Sequence, residues 1–222
     1  LRFNAKASEN IELGLDLSNN LRAPAMNELF FPATDSLYIP IESEKYLCTE
    51  LSAIYSQDIW TGKLSVYRMG ISDKIVPTAM QQWEKEYVNN GDLSYFGADL
   101  SFGMNYRNSS INIAMSQCNT PKDLMFAALP RTTVRLSASK LLFGTLQFEG
   151  EYLSVINRWS YSGGRYTKKR GEDLLQIGVK YLLFRSYMAE FTLYNALDSY
   201  YESSPGVPSP GRVFMIGLRA IL

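Results

Sequence analysis

The chain has 222 residues and no net charge, with 22 basic and 22 acidic side chains, so it lacks the concentrated positive surface that nucleic acid requires. It contains no His, which removes Ser-His-Asp and Cys-His nucleophile arrangements and the commonest metal ligand. Two Cys, Cys48 and Cys118, are too few for a structural zinc site. No run of about 18 apolar residues exists, so no transmembrane helix is expected, but a barrel that satisfies its backbone between strands needs none. The start, Leu1-Arg-Phe-Asn4, has neither an initiator Met nor the pattern of a signal peptide, so a processed product or a fragment is expected.

One alternating pattern recurs along the chain. Its clearest copies are Ile11-Glu-Leu-Gly-Leu-Asp-Leu17, Ala98-Asp-Leu-Ser-Phe-Gly-Met104, Leu146-Gln-Phe-Glu-Gly-Glu-Tyr152, Leu175-Gln-Ile-Gly-Val-Lys-Tyr181 and Phe214-Met-Ile-Gly-Leu-Arg-Ala220. Period two is the side-chain period of a β-strand, so each copy has an apolar face and a polar one. The pattern predicts ten strands, near 9–18, 45–56, 62–72, 93–106, 110–118, 131–140, 144–157, 173–183, 186–196 and 212–222. Short connections lie at Gln57–Gly62, Arg107–Ser109, Leu141–Phe143 and Phe184–Arg185. They alternate with long ones at Asn19–Glu44, Asp73–Asp92, Asn119–Pro130, Arg158–Glu172 and Leu197–Gly211. The fold class expected is therefore all-β: an antiparallel up-and-down transmembrane barrel, short-turned at one rim and long-looped at the other. Leu13, Leu15, Leu51, Leu100, Phe102, Phe148, Ile177, Val179, Phe191, Ile216 and Leu218 would face lipid. The content of 15 Tyr and 11 Phe suits membrane-interface girdles, and equally a soluble β-sandwich.

Candidate chemistry is thin. No phosphate-cradling loop is present, and Ser162-Gly163-Gly164 lacks the start of a nucleophile elbow. Glu149 and Glu151 fall on one strand face, but on a lumen wall such carboxylates are solvated or paired with Arg. Arg135, Glu149, Glu151, Lys180, Glu190 and Arg219 form a mixed-sign inner lining, fit either to hold a plug or to stand as a hydrated wall. The run Arg165-Tyr-Thr-Lys-Lys-Arg170 reads as a solvated loop or as a contact for anionic headgroups or an anionic ligand. Phe30, Phe31, Tyr38, Trp83, Trp159, Tyr161, Tyr200 and Tyr201 are placed to grip a ligand from above or to belong to the girdle. Cys48 and Cys118 lie on different strands, and spacing does not decide whether they pair. No catalytic, cofactor-binding, metal-binding or ligand-contact residue is assigned, and the chain is not expected to be an enzyme.

Several segments resemble one family in that family's order. Ile11–Leu17 runs into Arg22-Ala-Pro24 with Glu28 and Leu29, similar to the R-A-P-x-x-x-E-L stretch of TonB-dependent outer-membrane receptors. Glu42–Leu51 resembles the family's P-E-x-x-x-x-Y-E-L-G strand, and Asn89-Asn-Gly91 through Leu100 its N-x-G-x-x-x-x-x-G-x-E-L stretch. Leu129-Pro-Arg-Thr-Thr-Val-Arg-Leu136, Asn195-Ala-Leu-Asp198 through Tyr201, and Pro210-Gly-Arg212 through Leu218 match further strands. The resemblance covers nearly the whole chain. It implies that residues 1–222 are the C-terminal portion of a 22-stranded barrel, with the plug and about twelve earlier strands lying elsewhere. It puts the long loops outside the cell, and it marks Leu222 as a departure from the usual aromatic end. It implies an outer-membrane receptor of a diderm bacterium, taking up a scarce bulky nutrient such as iron-siderophore, haem or cobalamin. The partners implied are the TonB complex acting through the plug, a small-molecule or metal-chelate ligand, and outer-membrane lipid. The alternatives are a complete ten-stranded barrel serving as a porin or adhesin, and a soluble β-sandwich binding module.

Overall fold

Period-two alternation folds here into eleven wall strands in a single antiparallel sheet. The computed structural model describes residues 1–29, 40–77, 87–119, 132–156, 159–162, 165–168, 171–183, 186–204 and 207–220. The wall strands are β1 (Arg2–Lys6), β2 (Ile11–Arg22), β3 (Glu44–Gln57), β4 (Trp60–Ser72), β5 (Leu93–Tyr106) and β6 (Ser109–Asn119). They continue as β7 (Thr132–Leu142), β8 (Leu146–Ile156), β9 (Glu172–Leu183), β10 (Tyr187–Tyr194) and β11 (Val213–Ala220). Each pairs with its neighbours in sequence, so the topology is strictly up and down. Three of the long connections rise into two-stranded ribbons, at Ile75–Pro77 with Tyr87–Asn89, Trp159–Ser162 with Arg165–Lys168, and Glu202–Ser204 with Val207–Pro208. A fourth carries a single helical turn, Met26–Leu29.

The structure adds one wall strand to the ten expected. β1 is only five residues long, too short for its alternation to stand out in sequence. It pairs with β2 so that Phe3 meets Leu15 and Ala5 meets Leu13 on one face, and Arg2 meets Asp16 on the other. β2 also runs further than expected, to Arg22. β1 and β11 are the two edges of an open sheet.

Register sorts the side chains. Leu15 lies opposite Leu51, and Leu51 opposite Val66. Leu64 lies opposite Leu100, and Leu100 opposite Met115. Phe148, Val179, Phe191 and Ile216 follow one another across four strands. A slip of one residue anywhere would turn a strand's whole apolar set to the other face. The lipid-facing residues expected from sequence therefore share one continuous side.

That side is not covered. Leu100 is 52% exposed and Ile216 86%, whereas the buried apolar side chains among the described residues are Ile71 and Ile75 alone. The soluble sandwich is overturned on this point, because it needs a second sheet to seal the apolar face, and the described residues form no second sheet of that size. Burial of apolar surface, the main driving force of folding in water, must come here from hydrocarbon. Aromatic rings mark the short-turn end of the same face. Tyr55, Trp60, Tyr106, Tyr181 and Tyr187 sit within a few residues of the short turns, and Trp60 stacks on Phe102 at 5.2 Å. A ring with one wet end belongs at a membrane interface.

Candidate functional site

The polar face and the long-loop rim carry what chemistry the chain has. The lining residues singled out from sequence prove to be mutual partners. Arg135 Nε meets Glu151 Oε1 at 3.2 Å, Lys180 Nζ donates to Glu149 Oε1 at 2.7 Å, and Arg219 meets Glu190 at 3.6 Å. Each pair joins neighbouring strands. Arg2 with Asp16 and Lys63 with Glu50 repeat the motif on β1–β4, at 2.6 and 3.1 Å. Each such exposed pair is worth under about 1 kcal/mol, so the ladder neutralises the wall more than it stabilises it. The carboxylates considered as an acid and base pair, Glu149 and Glu151, are thus each held by a cation on a neighbouring strand. A groove of about 480 Å³ runs along this face past Lys63, Asp99, Ser101, Ser116 and Arg135.

Nearer the long-loop rim the same face turns aromatic and sulfur-rich. Tyr95 donates its hydroxyl to Met69 Sδ at 2.7 Å. Tyr67 lies flat across Gly97, where a Cβ would fall 2.1 Å from its ring, and its hydroxyl reaches Cys118. Cys48 stands opposite Met69 in the β3–β4 register. Neither Cys forms a disulfide: Cys48 is on β3 and Cys118 on β6, with two strands between them.

At the rim itself two knots anchor the long loops. In the first, Arg22 at the end of β2 donates Nε to Glu44 Oε2 at 2.7 Å and grips Glu28 with both terminal nitrogens, at 3.0 and 3.2 Å. Glu28 also accepts the Ala25 amide at 2.6 Å, which closes the helical turn onto the strand end. Glu44 in turn accepts the Ile75 amide at 2.8 Å, and the Tyr46 hydroxyl. One buried carboxylate therefore ties the connection after β2 to the connection after β4. Burial alone would push the Glu44 carboxyl up, but the bonds from Arg22, Tyr46 and Ile75, with the Arg22 charge, hold it down at about 2. Glu44 stands above the apolar band, which begins on β3 at Leu47. Asn89 adds a second stitch: its amide accepts from Glu42 N at 2.7 Å and donates to the carbonyls of Glu42 and Asp73 at 3.0 and 2.6 Å.

The second knot joins β10 to β11. Asn195 is 6% exposed, takes a positive φ of 48°, accepts the Ser199 amide at 2.9 Å and donates to the Ser199 carbonyl at 2.8 Å. Asp198 accepts the Arg212 amide at 3.1 Å, and Arg212 Nε donates to the Ala196 carbonyl at 3.1 Å. Gly211 leaves the space for this, since a Cβ there would stand 2.6 Å from Asp198 Oδ1. Gly211→Ala should force that carboxylate aside and cost about 1–2 kcal/mol, read as earlier proteolytic nicking of residues 196–212 with the barrel otherwise intact.

Several sequence candidates fall elsewhere. Phe30, Phe31, Tyr38, Trp83 and Leu222 lie outside the described residues, as do the side chains of Trp159, Tyr161 and the run 165–170. Tyr200 is exposed, and Tyr201 lines a small groove with Leu174, Tyr194 and Val213. The knots were missed as functional elements because their members are far apart in sequence. Their signal was the presence of Arg22, Glu28, Asn89, Asn195, Asp198 and Gly211 within recurrent motifs.

Comparison with known proteins agrees with this geometry. The family model described as TonB dependent receptor-like, beta-barrel, matches residues 2–212. Similar solved structures include the siderophore receptor PirA from Acinetobacter baumannii, with TM-score 0.78 and 15% identity, covering 98% of this chain and 40% of that one. The copper transporter OprC gives TM-score 0.78 at 19% identity, covering 98% and 38%. The FrpB iron transporter from Neisseria meningitidis gives 0.74 at 14%, covering 98% and 37%. At these identities the likeness is one of fold. The chain thus spans about 40% or less of these structures' length. No curated protein matches the chain.

Proposed function

The chain belongs to the TonB-dependent receptor family, whose members are transport receptors of the bacterial outer membrane rather than enzymes, and we propose that it forms the C-terminal wall and outer mouth of one such transporter. In this reading residues 1–222 supply the last strands of a 22-stranded barrel, and a plug from the rest of the protein fills the lumen. The long loops capture a scarce bulky cargo, and energy delivered through TonB rearranges the plug to let it pass. Of iron-siderophore, haem and cobalamin, iron-siderophore is favoured, because siderophore and iron transporters recur among the structures similar in fold. The observation that carries the reading is the sheet's two-sidedness: an uncovered apolar face, a charge-paired polar face, and long loops knotted at their rim.

The chain's own part is passive in chemistry and active in geometry. Its polar face offers the plug a neutralised wall rather than bare charges, so the plug can shift without breaking buried ion pairs. Its rim knots fix where the loops rise, leaving their tips free to meet cargo. The test is uptake of radiolabelled ferric chelates, haem and cobalamin by cells expressing the complete coding sequence, with and without TonB. Accumulation of one cargo that stops when TonB is deleted is expected. Uptake that persists without TonB would replace this reading with a passive porin.

A further inference from the structure

Most cations of the sheet's polar face are paired. On the polar face Arg2, Lys63, Arg135, Lys180 and Arg219 each have a carboxylate within reach on a neighbouring strand. On the apolar side Lys45 meets Asp73 at 2.8 Å beside the long-loop rim, but Arg68 and Lys140 have no carboxylate among the described residues, and neither has Arg107 in the short turn between β5 and β6. Arg68 sits toward the long-loop end with its guanidinium over Phe96, 5.5 Å from the centroid. Lys140 and Arg107 lie at the opposite end, where the Asn108 carbonyl accepts the Leu141 amide at 2.8 Å.

Their placement at one end of the outward face follows from register. Tyr106 lies opposite Ser109, Ser109 opposite Lys140, and Lys140 opposite Phe148, so these four share one rung of the outward face. Arg107 has a positive φ of 50°, and its guanidinium lies over the ring of Tyr106 at 5.1 Å. Since Tyr106 faces outward, that guanidinium is carried to the lipid side of the turn. Lys140 is one rung in from Leu142, and its four-carbon stem can run along the apolar surface while the ammonium reaches the interface. A cation there without a carboxylate needs an anion from its surroundings, and the anions at a bilayer interface are headgroup phosphates.

We propose that Arg107 and Lys140 form a binding site for one anionic phospholipid of the inner leaflet, such as phosphatidylglycerol or cardiolipin, on the outside of the barrel wall. The guanidinium takes the phosphate in a fork and the ammonium supplies a second charge from the next hairpin. Tyr106 and Phe148 flank the glycerol and upper acyl chains. The site rests on the outer-membrane reading, and the short turns place it on the periplasmic side.

The test uses the full-length receptor, extracted in mild detergent, washed, and examined for retained lipid by native mass spectrometry after exposure to equal amounts of phosphatidylglycerol and phosphatidylethanolamine. The parent should keep phosphatidylglycerol preferentially. Arg107→Gln with Lys140→Gln should lower its retention by roughly thirtyfold, about tenfold or less for each charge removed. Lys140→Arg should retain it, and Arg68→Gln, at the other end of the band, should change nothing. Equal retention in the double variant and the parent would overturn the site, and so would loss of lipopolysaccharide in place of phosphatidylglycerol. A receptor that fails to insert into any bilayer would instead overturn the membrane reading itself. If the double variant does not fold, Arg107→Gln alone must still lower retention, or the site is refuted.

Discussion

Leu100→Arg should lower the stability of the folded receptor in lipid by about 2–4 kcal/mol, while Asp99→Asn, one residue away, should change it by less than about 1 kcal/mol. Leu100 sits mid-strand on the outward face, between Leu64 and Met115 on the neighbouring strands, and is half exposed. An arginine there is surrounded by hydrocarbon, with Leu64 and Met115 rather than an acid opposite it. Asp99 points the other way and already accepts a bond from Ser116 on a wet wall. Guanidinium titration of the receptor refolded in phospholipid vesicles, followed by tryptophan fluorescence, measures both. Ile216→Arg on β11 should match Leu100→Arg if the outward belt is continuous to the sheet's edge. Equal losses at Leu100 and Asp99 would mean the two faces see one medium, and the assignment would fail.

The belt was legible in sequence because a strand's faces are fixed by parity alone. Once Leu13 and Leu15 are outward, Asp16 is inward, whatever strand lies beside it. The alternation of short and long connections added the topology, since tight turns leave adjacent strands no other way to pair. Pairing between particular side chains was not legible. Arg135 meets Glu151 only because β7 and β8 are in the register that puts Arg135 opposite Leu153, and nothing within either strand states that register. β1 escaped for a related reason: two outward positions, Phe3 and Ala5, make too short a series to distinguish from chance, and its place comes from the ladder with β2.

The rim knots show what the family motifs are for. Arg22, Glu28 and the strand-end Glu44 read in sequence as marks of kinship, and in three dimensions they are one hydrogen-bonded group. Asn195, Asp198, Gly211 and Arg212 repeat the case with an Asn-closed turn and a glycine that leaves room for a carboxylate. Both sit where a strand leaves the hydrocarbon and its backbone groups lose their ladder partners. Buried groups there must find partners locally or be left unsatisfied. Tying loop bases by side chains rather than by longer strands lets the loop tips differ among receptors while the mouth keeps its shape. That division suits a family in which one barrel serves many cargoes.

The first knot predicts the second large effect. Arg22→Ala strips a buried carboxylate of the cation bonded to it and should destabilise the rim by about 2–3 kcal/mol. The loss should be local. Hydrogen exchange at the Ile75 amide and cleavage within residues 23–43 should both rise, while exchange in the middle of β3 and β4 stays as it was. Arg22→Lys should recover part of the loss, because an ammonium can meet Glu44 but cannot also hold Glu28 in a fork. The effect carries a pH signature. Glu44 titrates near 2 in the folded state and near 4.3 in an unfolded chain, so its contribution is complete above about pH 5 and drains away as pH falls through about 2. In Arg22→Ala the buried carboxylate keeps the Tyr46 and Ile75 bonds but has lost the guanidinium, so acid neutralises it at a higher pH and relieves the variant. Parent and variant should therefore differ most at neutral pH, the gap narrowing as pH falls and closing only below about pH 2. A gap that stays constant from pH 7 to pH 3 would show that Arg22 acts on the loops without Glu44, and the knot as drawn would be wrong.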